Sequence, residues 1–493
     1  MNTLDVVAGK VAAKLKMSPF FVRFCKSASW VLAGTLITKL LATQTWLVVG
    51  KILGQELYGR LGIIQSSVNT FAVFAAFGIS LIGNTLIAKY RDSDPRKVGG
   101  LIGLSYILAT VSGLLTAVAV FALAPVIAER MLKAPELVNS IRVSSLILLF
   151  YAYNGCQNGI LAGLEAFREL ALASIIAGAT VIPLQLAGAW LFGFQGGLFG
   201  MMLEIFMLMA VSFFFIERVL KRRGLRPVYR RAVRDNIRVV FILCFPVVIC
   251  GLMVAPIKFY AESITFKQPG GQAAFGLFTA IAALQMLVMY VGQTLNSPVL
   301  TYLAQSDGEG GNVKFARFNI LFPWIIGSFA SLFVVCVPEM ATLYLGDSYN
   351  TPEFRAALIM IMLTTIIMMY KQGLARALLV KNMMWLGVLS NLLWGIALLA
   401  SLYFLCGYGV VGLAAAYLIA YVANTVVVLP LYIVLKMVPR ETMISPDALA
   451  MWVVILLTIM IMINFHLCLP LRLLLLAAAL AVNSRITARI VHS

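Results

Sequence analysis

The chain has 493 residues, of which 62% are hydrophobic and only 12% charged, with a formal net charge of +19 and a mean hydropathy of +0.97. Soluble domains are about half apolar and carry about a quarter charged residues, so a water-soluble fold is excluded and the bilayer is this chain's solvent. The basic excess, lying beside apolar runs, fits contact with anionic lipid rather than nucleic acid.

In chain order, residues 1–26 read as a basic amphipathic segment. Leu4, Val7, Val11 and Leu15 recur at helical spacing opposite Lys10 and Lys14, which suits a helix lying on the cytoplasmic leaflet. No apolar stretch followed by a small-residue cleavage site opens the chain, so no secretory signal peptide is expected. Apolar runs of about 20 residues then follow, each long enough to cross roughly 30 Å of hydrocarbon as a helix that satisfies its own backbone. They predict an all-α integral membrane protein of about 14 transmembrane helices, near residues 27–50, 61–90, 98–128, 138–164, 170–194, 197–219, 239–262, 273–303, 315–345, 355–380, 383–406, 409–436, 447–466 and 469–485.

Most of the 38 Lys and Arg fall in the N-terminal segment, the even-numbered loops and the C-terminus. Basic residues are retained on the cytoplasmic side during insertion, so both termini are expected there. The densest run, 218–238, contains Lys221, Arg222, Arg223, Arg226, Arg230, Arg231 and Arg234 and is expected to contact anionic phospholipid. The seven cysteines are dispersed without a C-x-x-C pair, so neither a disulfide framework nor a zinc site is expected.

An internal repeat divides the chain. Tyr58-Gly59 corresponds to Phe275-Gly276, Pro125 and Arg142 to Pro338 and Arg355, Gly159 in QNGILAGL to Gly373 in KQGLARAL, and Gly193-Phe194 to Gly407-Tyr408. These anchors agree on one offset to within a few residues, the signal that repeat reading seeks. The expected organisation is a six-helix bundle over 27–219, a basic linker over 220–238, a second six-helix bundle over 239–437 and an additional helix pair over 447–485. Six is even, so the two bundles would enter the membrane alike and be related by an axis along its normal, an architecture suited to alternating access.

Residues 53–59 read LGQELYG, and the following helix holds the glycine-interrupted FAAFGIS. With QNGILAGLEAFRE, its counterpart over 371–383 and the turn GFQGG, these motifs resemble the polysaccharide and O-antigen flippase family of the multidrug/oligosaccharidyl-lipid/polysaccharide exporter superfamily. The resemblance covers roughly the first 435 residues, and the trailing pair departs from a plain twelve-helix pattern. It implies translocation of polyprenyl-pyrophosphate-linked oligosaccharide, such as an O-antigen repeat unit of lipopolysaccharide, from the inner to the outer leaflet of the bacterial inner membrane. Partner polymerase and chain-length enzymes are implied with it. LGQELYG is a structural loop motif and names no chemistry.

Ionisable groups within the hydrocarbon are costly unless they face protein or a wet cavity, so each is a candidate site. Lys39 shares a helix face with Thr35 and Thr43 and is the first candidate for a pyrophosphate ligand. Lys258 lies near the repeat offset from it and would converge with it on one anion, or else pair with Glu262 four residues on. Lys371 and Arg376 would receive the pyrophosphate or snorkel to the interface, and Arg142 and Arg355 would guard the exit or serve as interfacial anchors. Glu204, and with it Glu262, would carry a coupling proton or sodium ion, or be structural. Asn69, Asn154, Gln157, Gln285, Asn296 and Asn424 offer hydrogen bonds to sugar hydroxyls, or between helices.

There is no G-x-x-x-x-G-K-[ST], so no cofactor nucleotide is expected and energy would come from a gradient. The two histidines, His466 and His492, sit near membrane edges without a hydrolase or metalloprotease motif. Two alternatives remain open. A glycosyltransferase or polymerase would use Asp92 and Asp94 of RDSDPRK on a metal, but the expected long outer loop is missing. A cation-coupled multidrug exporter would share the fold, but a lysine-lined cavity repels cationic cargo.

Overall fold

The computed structural model describes residues 37–76, 78–229, 232–294, 313–381, 383–435, 443–465 and 468–492. The amphipathic N-terminal segment, Thr35, Asn296 and the middle of the basic linker lie outside them. Among the described residues every regular element is helical. Eight helices are long and apolar enough to cross a membrane, nine when one bent pair is taken as a single span.

The helices are α1 Ile37–Ala76, α2 Ile79–Tyr90 and α3 Pro95–Met131, α4 Val138–Ser144, α5 Leu146–Gly163, α6 Phe167–Arg223 and α7 Ala232–Phe266. There follow α8 Gly271–Thr294, α9 Val313–Cys336, α10 Glu339–Leu345, α11 Pro352–Val380, α12 Met384–Leu405, α13 Gly409–Val434, α14 Pro446–Asn464 and α15 Leu469–His492. Two of them are continuous in hydrogen bonding yet broken in direction by a glycine. Gly54 interrupts α1 at φ 74°, ψ 169°, inside LGQELYG, and Gly193 interrupts α6 at φ 56°, ψ −131°, where the turn GFQGG is expected. Residues with a Cβ avoid both conformations.

The internal repeat is written in the backbone. Gly409, between α12 and α13, adopts φ 56°, ψ −129°, the conformation of Gly193. The turn is therefore matched by Gly409 rather than by Gly407, because conformation and not glycine spacing defines the equivalent position. Just beyond each break a helix crosses close: a Cβ on Gly196 would lie 1.8 Å from the Gly188 carbonyl oxygen, and one on Gly412 would lie 1.9 Å from that of Leu405. The short turn before α4 repeats as well. Lys133 (φ 52°) precedes a single 3-10 turn at Pro135–Leu137, and Gly346 (φ 88°) precedes another at Asp347–Tyr349.

The chain forms two compact units, residues 1–53 with 60–269, and residues 54–59 with 270–493. In the first, α5 packs between α3 and α6, and α7 packs on α3. A Cβ on Gly251 of α7 would meet Val73 of α1 at 2.4 Å, and the Cys244 thiol reaches the Gly78 carbonyl at 3.4 Å. By its contacts α7 thus belongs with the first unit. In the second unit α11 packs between α9 and α13, and α12 pairs with α13.

The trailing pair α14 and α15 packs on α9. Trp324 of α9, Tyr370 of α11 and Trp452 of α14 form an aromatic cluster with ring centroids 4.9 to 5.6 Å apart. The Tyr370 hydroxyl donates to the Met443 carbonyl at 2.9 Å, and Arg472 of α15 meets Glu339 of α10 at 2.6 Å. The segment Gly54–Gly59 docks on the start of α8 through repeat-related glycines. A Cβ on Gly59 would lie 1.9 Å from the Gln272 carbonyl oxygen, and one on Gly276 would lie 2.0 Å from that of Gln55. Tyr58 is fully buried there, and the Gln55 amide donates to the Ser348 carbonyl at 2.6 Å.

Candidate functional site

A cluster of polar groups within the apolar spans lies in the second unit. Lys371 of α11, half-buried, donates through Nζ to Asn424 Oδ1 of α13. Asn424 is held in turn by α12, its amide donating to the Ser390 carbonyl at 2.7 Å and to Ser390 Oγ at 3.2 Å. One helical turn and a half before Lys371, Thr365 Oγ1 accepts the Gln285 amide of α8 at 3.1 Å. No carboxylate pairs with Lys371 among the described residues.

Arg376, five residues on, faces elsewhere. It is 7% exposed and donates to Asn319 Oδ1 of α9 at 2.9 Å. Asn319 spends its own amide on the Gly373 carbonyl at 2.9 Å. Five residues turn an α-helix by well over a right angle, so Lys371 and Arg376 are held by different helices and do not converge. Asn319 and Ser390 were missed in the sequence, although one polar residue in the apolar window NILFPWII marks Asn319.

The repeat gives Lys371 a reference. Its equivalent in the first half is Gln157, fully buried on α5, which donates to the Met209 carbonyl of α6 at 3.0 Å. One turn earlier Asn154 donates to the Ile205 carbonyl at 3.1 Å. Both amides fasten α5 to α6, and their side-chain oxygens are buried without a partner among the described residues. A neutral amide therefore suffices to tie α5 to α6, and the charge on Lys371 exceeds what that fastening requires.

The remaining candidates lie apart. Lys39 is half-buried in the first described turn of α1, and the Thr43 hydroxyl bonds back to its carbonyl at 2.9 Å. Lys258, 39% exposed, stands 3.7 Å from the 2% exposed Glu262, whose second oxygen takes the Ser66 hydroxyl; Lys39 and Lys258 both belong to the first unit. Arg142 places its guanidinium over the Phe121 ring at 5.4 Å, with Nε buried and unpaired among the described residues. Arg355 is exposed and donates to Asn350 Oδ1 at 2.7 and 3.2 Å. Glu204 is half-buried on α6 with neither ion pair nor hydrogen bond among the described residues, and Asn69 is exposed.

Asp92 and Asp94 are otherwise engaged. Asp94 caps α3 by accepting the Lys97 amide at 3.0 Å, a usual N-cap role. Asp92 takes Arg91 at 2.9 to 3.1 Å, and that hydrogen bonding raises the Arg91 pKa above its ordinary value. No cluster of metal-ligating side chains is found among the described residues.

Solved structures with this fold are transporters. A multidrug resistance MATE family transporter of the MOP superfamily, in its inward-facing conformation, aligns with a TM-score of 0.64 at 16% identity, over 83% of this chain and 98% of its own. A MOP superfamily transporter from Pyrococcus furiosus, described by the reverse polarity of its binding pocket, aligns with a TM-score of 0.65 at 16% identity, over 85% and 96%. The lipid II flippase MurJ, inward closed, aligns with a TM-score of 0.63 at 15% identity, over 94% of this chain and 99% of its own. A search of curated protein sequences returns no significant match. The family described as polysaccharide biosynthesis protein matches residues 24–303, more than half of the chain. The fold is thus the one shared by these membrane transporters, and the chain belongs to the polysaccharide biosynthesis protein family.

Proposed function

We propose that the protein is a flippase. It moves polyprenyl-pyrophosphate-linked oligosaccharide from the inner to the outer leaflet of the bacterial inner membrane by alternating access, the lipid tail staying in the bilayer while the headgroup crosses a cationic cavity. One observation carries this reading. Lys371 is a cation inside a membrane-spanning helix, held by an amide oxygen and, among the described residues, by no carboxylate, where the first repeat manages with neutral Gln157. A charge that packing does not need is kept for a ligand, and a compact ammonium suits phosphate oxygens.

Two facts support the polysaccharide cargo over a drug. The family match is to polysaccharide biosynthesis, and the lipid II flippase structure spans 94% of this chain where the drug transporter spans 83%. That difference is on the order of the length of the trailing pair α14 and α15. A lysine within the membrane also repels cationic cargo.

The test is translocation of a short-chain polyprenyl-pyrophosphate glycolipid in proteoliposomes, comparing the native protein, Lys371→Gln and empty vesicles. Lys371→Gln copies the first repeat, so the helices stay fastened while headgroup transport falls by about tenfold or more, the loss expected for one charge-assisted contact of roughly 1.5 to 3 kcal/mol. Undiminished transport in Lys371→Gln refutes the site. No native transport of the glycolipid, together with efflux of a cationic dye, refutes the cargo in favour of multidrug export.

A further inference from the structure

At the end of α6 the chain leaves the helix through Gly224, whose φ of 64° closes the cap, and residues 225–229 run on without helix. This strap lies directly on α3. The Val228 amide donates to the Gly99 carbonyl at 2.9 Å. A Cβ on Gly99 would fall 2.4 Å from the Arg226 carbonyl oxygen, and one on Gly103 would fall 2.2 Å from that of Val228. Gly99 and Gly103 of KVGGLIG are thus required by the strap's close approach.

Strap, α3 and α6 enclose a cavity of about 500 Å³, lined among others by Tyr106, Phe213, Ile216, Lys221, Arg226 and Tyr229. Its wall has two chemistries. Phe213 and Tyr229 are 54% and 53% exposed beside buried Ile216 and Leu220, an apolar face open at the edge of a membrane-spanning helix. The Tyr106 hydroxyl is buried with no partner among the described residues, and exposed Arg226 has no acceptor there. Lys221 is matched by Glu217 at 2.6 Å, while Arg222 and Arg223 turn away to Glu169 at 3.5 Å and to the Leu164 carbonyl at 2.7 Å.

We propose that this cavity binds one anionic glycerophospholipid of the surrounding bilayer, its phosphate on Arg226 and the Tyr106 hydroxyl and an acyl chain along Phe213 and Ile216. The occupant is amphiphilic because the wall is. It is anionic because the charged residues lining the cavity are Lys221, Arg226 and Glu217, a net positive set hostile to the ammonium of a zwitterionic headgroup. By closing on strap, α3 and α6 together, the lipid fastens the start of the basic linker to the first unit. The proposal is independent of what the protein transports.

The test uses the full-length protein purified in detergent, with dioleoyl phosphatidylglycerol or dioleoyl phosphatidylcholine added and retained lipid counted by native mass spectrometry. One phosphatidylglycerol per chain is expected to be kept in preference to phosphatidylcholine. Arg226→Gln lowers its affinity about fivefold, the weight of one basic residue at an anionic surface. Tyr106→Phe, which keeps the ring, weakens it as well. Arg222→Gln removes the same charge outside the cavity and leaves retention unchanged. Equal losses from Arg222→Gln and Arg226→Gln, or equal retention of the two lipids, overturn the proposal, because either marks diffuse attraction rather than a built site. Inorganic phosphate and a short-chain polyprenyl pyrophosphate serve as competitors. Failure of both to displace phosphatidylglycerol supports a bilayer lipid, and displacement by either assigns the cavity to another phosphate source and overturns it.

Discussion

Replacing Gly59 by alanine places a methyl carbon 1.9 Å from the Gln272 carbonyl oxygen, 2.9 Å from the Gly276 nitrogen and 3.0 Å from the Gln272 carbon. All three obstacles are backbone, so no side chain can swing aside and the segment must part from α8 by more than an ångström. Overpacking of this kind costs about 1 to 3 kcal/mol. Alanine returns up to about 1 kcal/mol through its better helix propensity. The net expectation is a loss of about 1 to 2 kcal/mol for Gly59→Ala, and the same for Gly276→Ala, whose methyl would meet the Gln55 carbonyl oxygen at 2.0 Å. For a unit of this size such a loss lowers the melting temperature by roughly 2 to 8 °C, read by tryptophan fluorescence of the full chain in detergent. The two clashes share one crossing, so the double variant loses less than the sum of the singles, the first methyl having already opened room for the second. Gly155→Ala is the control, because its methyl would meet only Ala76 at 3.9 Å. Native melting temperatures in both single variants, or strict additivity in the double, would refute the reciprocal contact.

Three further outcomes follow from the geometry. Gly193→Ala and Gly409→Ala each force a residue with a Cβ into φ near 56° and ψ near −130°; each is expected to cost about 1 to 3 kcal/mol, and equal losses in the two would show that the repeat extends to backbone strain. Gly83→Ala sets a methyl 2.0 Å from the Gly159 carbonyl carbon and oxygen, so it should separate α2 from α5 and lower the yield of folded protein in membranes, with native yield as the contrary result. Arg472→Ala breaks a 2.6 Å contact to Glu339, whose side chain is 50% exposed; screening limits the loss to below about 1 kcal/mol, and a larger fall in thermal stability would mean that α15 depends on this ion pair.

Hydropathy marked an all-helical membrane chain but not its count, expected at about 14: eight or nine helices among the described residues are long and apolar enough to cross a membrane. Helix α1 runs through residues 51–60 with only a break at Gly54, whereas the turn expected at GFQGG is where Gly193 breaks α6. The repeat was legible as well: an offset read from Gly, Pro and Arg reappears in positive-φ glycines and close crossings. What the residues alone could not reveal was the partner of each polar group. Gln157 and Asn154 read equally well as sugar ligands and as fasteners until the carbonyls of Met209 and Ile205 were seen to receive them. Lys371 and Arg376 shared a short run, and only the third dimension sends them to Asn424 and Asn319 on different helices. The grouping of α7 was likewise hidden, because hydropathy counts helices without saying which ones touch.

Partner chemistry divides the basic residues into two classes. Lys258, Lys221 and Arg472 are matched by carboxylates, and an incoming anion would have to displace a full opposite charge to reach them. Lys371 is matched by an amide oxygen. A phosphate oxygen adds the attraction of a full opposite charge, which an amide oxygen lacks, so exchanging Asn424 for a phosphate oxygen favours the phosphate. Asn424 is not orphaned by the exchange, since Ser390 already receives its amide and lies 3.4 Å from its oxygen. On the proposed reading the triad Lys371, Asn424 and Ser390 is therefore a cation held in readiness: hydrogen-bonded by neutral groups when empty, and released at small cost when a pyrophosphate arrives. Asn424→Asp would end that readiness by giving Lys371 a permanent counter-charge, and transport should fall although every group keeps its place.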